Sequence, residues 1–472
     1  MKCFVAGEWI DRDEKISVLN PYSGEVIDTV PSVGPSDVEA ALNAAVRGAE
    51  IMAAMPGYER YLLLRRATDL LRDRADDLAA TISAEEGKPL RESRGEVDRS
   101  AQTLELSGEE AKRLSGEVLP LDGGKGTAGK FGFTLRVPCG VVAAITPFNF
   151  PLNLVCHKLG PALAAGNSVI LKPASDTPLV ALKLMEILLE AGFPPLAVSC
   201  LTGSGKTVGE AICRDQRVRK VSFTGSQEVG EQICAVAGLK RVTMELGSNS
   251  PLIVMPDANL DMVRQATIAC GYANAGQVCI SAQRLIVLDE IHGTLMNELQ
   301  TAVEDISVGD QMADATQVGP MVRTSDAERV ESWIQEAVSD GARLVCGGTR
   351  EGAIVRPALL DNASPGMKVV RDEIFGPAVA VLRASSIDDA IRLANDTTYG
   401  LSAGVFTQDI DAAMKFARQV HSGNIHINWG PMWRTDLMPY GGLKASGLGK
   451  EGPKYAIEEM TEMKTVVIHS EA

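Results

Sequence analysis

The chain has 472 residues, of which 45% are hydrophobic and 23% are charged, so its length suits roughly three domain-sized units with a sizeable core. Its formal net charge of −15 argues against nucleic acid or an anionic membrane as a partner, because either would need a basic protein face. The 9 cysteines are scattered and never spaced as Cys-x-x-Cys, which indicates free thiols and neither a disulfide framework nor a metal site.

The first hundred or so residues predict short strands followed by helices. Charged residues stand where a signal peptide needs an apolar run, so we expect a cytoplasmic protein. Residues 4–30 are punctuated by Pro and Gly as strands and turns are. From Ser36 to Ser115 apolar residues recur every three or four positions, which predicts helices, with Ser36 and Glu39 as a capping box. Arg99 lies in this region, where a solvent-exposed helix charge is the ordinary interpretation.

A glycine-rich stretch, residues 116–132, then leads into alternating strands and helices. Residues 133–137 alternate as a strand would, and could form an edge or a protruding arm. Residues 140–145 are an unbroken apolar run of the kind that forms a buried parallel strand. Asn149 follows between two prolines, so its amide is rigidly placed to donate to an oxygen, unless it only completes a turn.

The alternation continues with a predicted helix at residues 152–165, which contains Lys158, and a buried strand that ends at Lys172. Strands that alternate with helices predict a parallel sheet, in which ligands bind at the carboxyl ends of the strands. Thr202-Gly-Ser-Gly-Lys-Thr207 looks like the end of a P-loop, but Cys200 stands where that motif needs its first glycine. Hydrolysis of nucleoside triphosphates is therefore not expected.

Two later segments suggest an anion site and a base. A strand beginning at Lys220 passes through Gly225 and Ser226 into a helix, whose first amides could hold a pyrophosphate. The spacing is not G-x-G-x-x-G, so the signal is weak by itself. Glu245 ends an apolar strand, where burial should raise the pKa of a carboxyl group and make it a possible base. A buried ion pair is the alternative.

Cys279 is the candidate nucleophile, because it stands among small and polar residues between two apolar segments. A thiol near neutral pH is only partly thiolate, so it needs a base and a group that stabilises the charge formed on its substrate. Most cysteines are small buried hydrophobes, and composition alone does not separate Cys279 from the others.

Seven motifs in one order resemble the aldehyde dehydrogenase superfamily over nearly the full chain. They are Thr146-Pro-Phe-Asn-Phe-Pro151, Lys172-Pro-Ala-Ser175, Phe223-Thr-Gly-Ser226, Glu245-Leu-Gly247, Gly276-Gln-Val-Cys279, Glu373-Ile-Phe-Gly-Pro377 and Pro439-Tyr-Gly-Gly-Leu-Lys-Ala-Ser-Gly447. Together with Trp433-Arg434-Thr-Asp436, they look most like the branch of lactaldehyde, non-phosphorylating glyceraldehyde-3-phosphate and phosphonoacetaldehyde dehydrogenases.

The resemblance implies a role for each catalytic residue. Cys279 would attack the aldehyde, and the Asn149 amide with the Cys279 backbone N–H would stabilise the oxyanion of the thiohemiacetal. Glu245 would then activate water to hydrolyse the thioester. Lys158 and Glu451 could pass the proton outward.

The resemblance also implies NAD or NADP as the cofactor. The residues implied to hold it are Thr146, Pro147, Phe148, Lys172, Ser175, Gly225, Ser226, Val229, Leu246, Glu373 and Phe375. Ser175 stands where NAD-selective relatives often have a glutamate, which would repel a 2′-phosphate, so we expect both cofactors to be used. Ser248 replaces a glycine that usually follows Glu-Leu-Gly, which could limit how Glu245 swings.

The implied fold is α/β, with a Rossmann-like cofactor domain, an α/β catalytic domain and a small β arm used in homodimers or homotetramers. The cofactor domain is assigned to residues 1–116 and 138–246, and the catalytic domain to residues 247–440. The arm is assigned to residues 117–137 and 455–472.

The substrate is expected to be a small aldehyde with a hydroxyl or anionic group. Arg99, Arg284 and Arg434 match positions that face the substrate in phosphate- and phosphonate-handling relatives, and the guanidinium fork suits such oxygens. Arg99 and Arg434 could instead be salt-bridged to Glu96 and Asp436, and relatives that oxidise uncharged aldehydes also have an arginine at position 284. Two other functions stay open: a CoA-acylating semialdehyde dehydrogenase, which would lack the hydrolytic glutamate, and an inactive structural or binding member of the fold.

Overall fold

The computed structural model describes residues 1–469, and its N-terminal part is a set of short strands followed by four successive helices. The strands are β1 (Cys3–Val5), β2 (Glu8–Ile10), β3 (Lys15–Leu19) and β4 (Val26–Pro31). The helices are α1 (Pro35–Ala54), α2 (Gly57–Asp73), α3 (Ala75–Glu86) and α4 (Leu90–Ala111).

The start of α1 differs from the expected capping box. Asp37 Oδ2 accepts a hydrogen bond from the Gly34 backbone N–H at 3.1 Å, so the box begins at Gly34 and not at Ser36. Pro35 explains the shift, because proline has no N–H to satisfy and its fixed φ favours the first helical position.

The strands and helices alternate from residue 118 to residue 245. They are β5 (Val118–Leu119), β6 (Lys130–Pro138), β7 (Val141–Ile145), α5 (Asn153–Ala164), β8 (Ser168–Lys172), α6 (Leu179–Ala191), β9 (Val198–Cys200), α7 (Glu210–Arg214), β10 (Val218–Thr224), α8 (Gln227–Ala237) and β11 (Arg241–Glu245).

A second alternating series follows. It comprises β12 (Pro251–Val254), α9 (Leu260–Gly271), β13 (Arg284–Leu288), α10 (Asp289–Glu304), α11 (Thr324–Ser339), β14 (Arg343–Cys346), β15 (Arg350–Glu351), β16 (Ile354–Val355), β17 (Ala358–Asp361), α12 (Lys368–Arg371), β18 (Ala378–Ala384), α13 (Ile387–Asn395), β19 (Ser402–Phe406), α14 (Ile410–Gln419), β20 (Asn424–Ile427), β21 (Gly447–Leu448), α15 (Pro453–Glu459) and β22 (Thr461–His469).

The first main sheet has eight strands in the order β2-β1-β9-β8-β7-β10-β11-β21. The strands from β9 to β11 in this order run parallel, and every residue of β7 is buried, as expected for a strand covered on both faces. The carboxyl ends of β7, β8, β10 and β11 therefore bring the segments that follow Ile145, Lys172, Thr224 and Glu245 to one edge of the sheet.

The second main sheet has seven strands in the order β14-β17-β18-β13-β12-β19-β20. Its strands are parallel except for β14, which pairs with β17 in the antiparallel direction. Each main sheet buries its own hydrophobic core. The segments that carry the candidate catalytic side chains lie between these two cores and can therefore face both sheets.

A small antiparallel sheet, β22-β6-β5, pairs the two segments that were assigned to the arm. β22 pairs with β6 from Thr461 opposite Pro138 to His469 opposite Lys130. The predicted fold class, α/β with a small β arm, is confirmed. The domain boundaries stay a prediction; they leave out β21, which lies in the first sheet, and residues 470–472 of the assigned arm lie outside the described residues.

Within residues 1–469, no helix is both long and apolar enough to cross a membrane.

Candidate active site

Cys279 follows a tight backbone turn between α9 and β13. Asn274 and Ala275 have φ values of 50° and 54°, and Gly276 has 69°. A Cβ on Gly276 would lie 2.1 Å from the Gly376 carbonyl oxygen, so only glycine fits there. The turn is held by α3 and α4: the Asn274 backbone N–H donates to Glu92 at 3.0 Å, and its side-chain amide donates to Glu86 at 2.8 Å.

Asn149 lies beside this turn, as predicted for an oxyanion partner of the nucleophile. It is buried, and its Nδ2 donates to the Gln277 backbone carbonyl at 2.8 Å. Its own backbone carbonyl accepts from Lys88 Nζ at 2.7 Å and from Asn274 Nδ2 at 3.2 Å. Lys88 is itself ion-paired with Glu96 of α4, so Asn149 is held by the turn before Cys279 and by the segment that leads into α4.

Cys279 lies on the wall between two cavities. The first, of about 400 Å³, is lined by residues that include Arg99, Phe150, Asn153, Cys279, Arg434 and Tyr440. The second, of about 260 Å³, is lined by residues that include Phe148, Asn149, Gly225, Ser226, Glu245, Leu246, Cys279, Glu373 and Phe375. The same sulfur can therefore meet molecules that enter from two sides.

The Cys279 thiol is protonated at rest. Burial raises the pKa of the thiol to about 12, although the hydrogen bond with the Tyr440 hydroxyl, 3.4 Å from the sulfur, opposes the rise. Tyr440 was part of a recognised motif, but nothing in the spacing of the sequence links it to a cysteine 161 residues away.

Glu245 ends β11 with its carboxyl group buried. Neither of its oxygens has a hydrogen-bond partner among residues 1–469. Burial, followed by the charge of Glu451, raises the pKa of Glu245 well above its ordinary value. Ser248 does not contact it: the Ser248 hydroxyl lies 3.2 Å from the Ser250 hydroxyl, and its backbone N–H donates to Glu373 at 2.9 Å.

Lys158 and Glu451 are brought together from residues far apart in the chain. Lys158 Nζ donates to Glu451 Oε1 at 2.9 Å and to Thr224 Oγ1 at 2.8 Å. Burial alone would raise the pKa of Glu451, but the charges of Lys158, His157 and Arg434 outweigh it and lower the pKa to about 2. The pair is therefore ionic, whereas the surroundings of nearby Glu245 favour its protonated form.

Arg434 and Arg99 both line the first cavity. Arg434 lies over the Tyr440 ring, 3.8 Å from its centroid, and its NH2 group donates to Glu451 at 3.4 Å. Its Nε makes no hydrogen bond in the described part of the chain and has only a long ion-pair contact with Asp436, at 3.9 Å. Arg99 is paired with Asp436 at 3.1 Å and keeps 34% of its side chain exposed, so it can still reach a ligand.

The prediction that Arg284 faces the substrate is wrong, because within the described chain this residue does not line the substrate cavity. Its Nε donates to the Asn249 carbonyl at 2.7 Å, and its two NH groups donate to the carbonyls of Leu393 and Ala394, both at 2.9 Å. Arg284 is 1% exposed because the chain has already entered β13 by this residue. It ties the second sheet to the end of α13.

A third cavity, of about 540 Å³, lies between α7 and α8 and is lined by residues that include Ile145, Gly205, Lys206, Arg214 and Val229. Lys172 lies close to this cleft, and burial lowers the pKa of its amine to about 8. Ser175 Oγ donates to the Gly203 carbonyl at 3.2 Å. Ser226 caps α8 by accepting from the Val229 N–H at 3.4 Å, which fits a helix N-terminus that faces a phosphate. Lys206 and Arg214 were not predicted to line this cleft, because the sequence showed only that the P-loop pattern fails in this segment.

The volume of the cleft and of the second cavity, and the hydrogen-bond donors around them, fit a dinucleotide. The cleft is lined by Val229, and the second cavity reaches Cys279 beside Glu373 and Phe375. Val229, Glu373 and Phe375 are among the residues predicted to hold the cofactor. At Gly225, which lines the second cavity, a Cβ would lie 2.5 Å from the Phe223 ring, so this turn favours glycine.

Comparisons with known proteins agree on one family. Residues 9–466 match the aldehyde dehydrogenase family. The chain is 48% identical to the 3-sulfolactaldehyde dehydrogenase of Priestia megaterium, over 99% of this chain and 97% of that protein. It is 39% identical to the lactaldehyde dehydrogenase of Methanococcus vannielii, over 99% of this chain and 100% of that protein. The structure of glyceraldehyde-3-phosphate dehydrogenase GapN from Methanocaldococcus jannaschii, complexed with NADP, matches with a TM-score of 0.94 and 36% identity, over 98% of this chain and 100% of that one.

Proposed function

The chain belongs to the aldehyde dehydrogenase family, as its motifs predicted, and is an NAD(P)-dependent oxidoreductase; on this premise we propose that it oxidises a small hydroxy- or anionic aldehyde to the carboxylate. The observation that carries the proposal is the position of Cys279 on the wall shared by two cavities. One cavity suits the aldehyde, and the other suits the nicotinamide end of the cofactor.

The first chemical step uses groups that meet at this wall. The Cys279 thiol first releases its proton to solvent in the aldehyde-side cavity, and the thiolate adds to the aldehyde carbon while the carbonyl oxygen becomes an oxyanion. The second N–H of the Asn149 amide and the Cys279 backbone N–H stabilise this oxyanion. The first N–H of that amide is already bound to the Gln277 carbonyl, which fixes its direction.

When NAD or NADP is bound, it supplies the acceptor for the hydride of the thiohemiacetal. Lys172, Ser175, Ser226 and Glu373 would hold the cofactor, and the thioester on Cys279 remains for hydrolysis. Glu245 in its deprotonated form takes a proton from water while the water oxygen adds to the thioester carbon, and Cys279 then leaves as the thiolate. Glu451, ion-paired with Lys158, is the next carboxylate that can accept the proton.

Two observations favour a substrate with a hydroxyl or an anionic group. Arg99 and Arg434 both line the cavity on the aldehyde side, and Arg434 Nε makes no hydrogen bond within residues 1–469, where its one ion-pair contact is Asp436 at 3.9 Å. Two of the similar proteins are named for aldehydes that carry a sulfonate or a phosphate, and a third for the hydroxyaldehyde lactaldehyde. Guanidinium groups suit such oxygens.

The test compares kcat/KM on a panel of aldehydes in the wild type and in Arg99→Met. The panel contains lactaldehyde, 3-sulfolactaldehyde, glyceraldehyde 3-phosphate, phosphonoacetaldehyde and succinate semialdehyde, with propanal and hexanal as uncharged references. We expect the first group to be preferred, and Arg99→Met to lose at least about tenfold on the anionic aldehydes, the cost of one charge-assisted hydrogen bond. If hexanal is the best substrate, or if the variant loses equally on all aldehydes, the substrate proposal is wrong.

Glu245 favours hydrolysis over transfer of the acyl group to CoA. Its carboxyl group lines the cavity that reaches Cys279, where a CoA-acylating enzyme has no use for a base. The same panel run with and without CoA separates the two, since product formation independent of CoA supports hydrolysis.

The arm suits assembly with copies of the same chain, as a homodimer or homotetramer. Its small sheet exposes apolar side chains, of which Phe131 and Ile468 are each 50% exposed and Met463 is 59% exposed. Light scattering after size-exclusion chromatography would give the mass, and Phe131→Asp should shift it toward the monomer.

A further inference from the structure

The Tyr440 hydroxyl has a contact that the mechanism above does not use. It lies 3.4 Å from the Cys279 sulfur, and the tyrosine is 3% exposed. Within residues 1–469 the hydroxyl makes no other hydrogen bond. A buried phenol whose single polar contact is the nucleophile is placed for chemistry, since packing alone would be served by phenylalanine.

The position of the Tyr440 ring is fixed from two sides. Its backbone N–H donates to the Glu451 carbonyl at 3.1 Å, and its carbonyl accepts from the Glu451 N–H at 2.7 Å. The Arg434 guanidinium lies 3.8 Å from the ring centroid and is held in turn by the Glu451 carboxylate at 3.4 Å. A cation over the ring draws electron density from the phenol, so its O–H becomes a stronger donor.

The other charged groups around Cys279 disfavour its thiolate. After burial and the opposing hydrogen bond of Tyr440, the charges of Glu373 and Glu245 raise the pKa of the thiol, whereas that of Arg434 lowers it. Burial keeps the pKa of Tyr440 well above its ordinary value, so the phenol holds its proton near neutral pH. The remaining charged side chains on the aldehyde-side cavity all come from α4: Arg91, Glu92, Glu96 and Arg99. Tyr440 and Arg434 are thus the neighbours that favour the reactive form.

We propose that the Tyr440 hydroxyl donates its hydrogen bond to the Cys279 sulfur and stabilises the thiolate before the aldehyde arrives, with Arg434 as the positioning residue that holds the phenol. Tyr440 is then a further catalytic residue, because it touches the reacting atom. The inference rests on the proposed function only in that Cys279 is the nucleophile.

The test measures the reactivity of the thiol in the absence of aldehyde. Wild type and Tyr440→Phe, as full chains, are treated with iodoacetamide between about pH 6 and pH 10, a range over which the alkylation rate follows the thiolate fraction. Alkylation of the Cys279 peptide is followed by mass spectrometry, and the partly exposed Cys346 is followed in the same samples as the internal control. Tyr440→Phe removes one oxygen and keeps the ring, so the fold is preserved.

We expect Cys279 in Tyr440→Phe to be alkylated about tenfold more slowly near neutral pH, with its pH profile displaced upward by about one unit, while Cys346 is unchanged. Arg434→Gln should displace the profile in the same direction by less. An unchanged Cys279 profile, or faster alkylation because the hydroxyl merely shields the sulfur, overturns the proposal. The aldehyde panel tests the proposed function separately, so the two can fail independently.

Discussion

The side-chain amide of Asn149 donates to the backbone carbonyl of Gln277, 2.8 Å away, and so joins the loop after β7 to the loop that carries Cys279. The two residues are 128 positions apart in the chain. One amide N–H is used in this contact, so the proposed oxyanion site would rely on the other, and its position depends on packing between the two main sheets.

Asn149→Ala should lower kcat by about 10²- to 10³-fold, the usual effect of losing one oxyanion donor, with a smaller change in KM. Steady-state kinetics with the preferred aldehyde measure this. Asn43→Ala, which removes an exposed amide that bonds Glu39 and Arg217, is the matched control and should keep wild-type activity. A loss below about threefold would mean that Asn149 serves only to hold the Gln277 loop.

Glu245→Gln should keep the first turnover and slow the ones that follow, because hydride transfer precedes the hydrolysis that needs the base. Stopped-flow absorbance should show a burst of about one reduced cofactor per active site and then a slow phase. Loss of the burst itself would place Glu245 in an earlier step. Glu245→Asp, which keeps the carboxyl group, should restore part of the slow phase.

The pH dependence of hydrolysis follows from the raised pKa of Glu245. A base must be deprotonated to act, so the steady-state rate of the wild type should rise with pH through this raised pKa. Glu245→Gln should lose that rise. A wild-type rate that is flat from about pH 6 to pH 9 would show that another group governs deacylation.

Ser175→Glu should reduce kcat/KM for NADP by about tenfold or more and change that for NAD much less, because a carboxylate repels the 2′-phosphate. Kinetics with both cofactors in both proteins measure the ratio. Ser23→Glu adds the same charge at an exposed site and serves as the control. An unchanged NADP to NAD ratio would mean that selectivity is set elsewhere, for example by Lys206 in the same cleft.

Arg284→Met should lower the free energy of unfolding by about 3 kcal/mol or more, because it removes the donor from three buried carbonyls, of which that of Leu393 keeps the Asp396 N–H. Arg99→Met should change stability by less than about 1 kcal/mol, since its partner Asp436 keeps other donors and Arg99 is partly exposed. Thermal unfolding of both variants gives the comparison. Equal shifts would contradict the distinct roles assigned to the two arginines.

The sequence by itself determined the family and the fold class, and it named most of the candidate chemical residues. Buried parallel strands can be recognised as apolar runs such as residues 141–145, and turns that admit only glycine or proline can be recognised from short motifs. Cys279, Asn149 and Glu245 could be named because each lies within such a motif. These signals are local in the sequence, so they can be read without knowing which distant residues pack nearby.

Only the tertiary structure decided which of these side chains meet. Tyr440 reaches Cys279 across 161 residues, Lys88 reaches the Asn149 carbonyl across 61, and Lys158 reaches Glu451 across 293. Arg284 was predicted to contact the substrate because it is close to the nucleophile in the sequence. It begins β13, however, and its guanidinium group donates to three backbone carbonyls. Periodicity reports which face of an element is buried, but the partner of a buried polar group depends on how distant elements pack, and no local pattern encodes that.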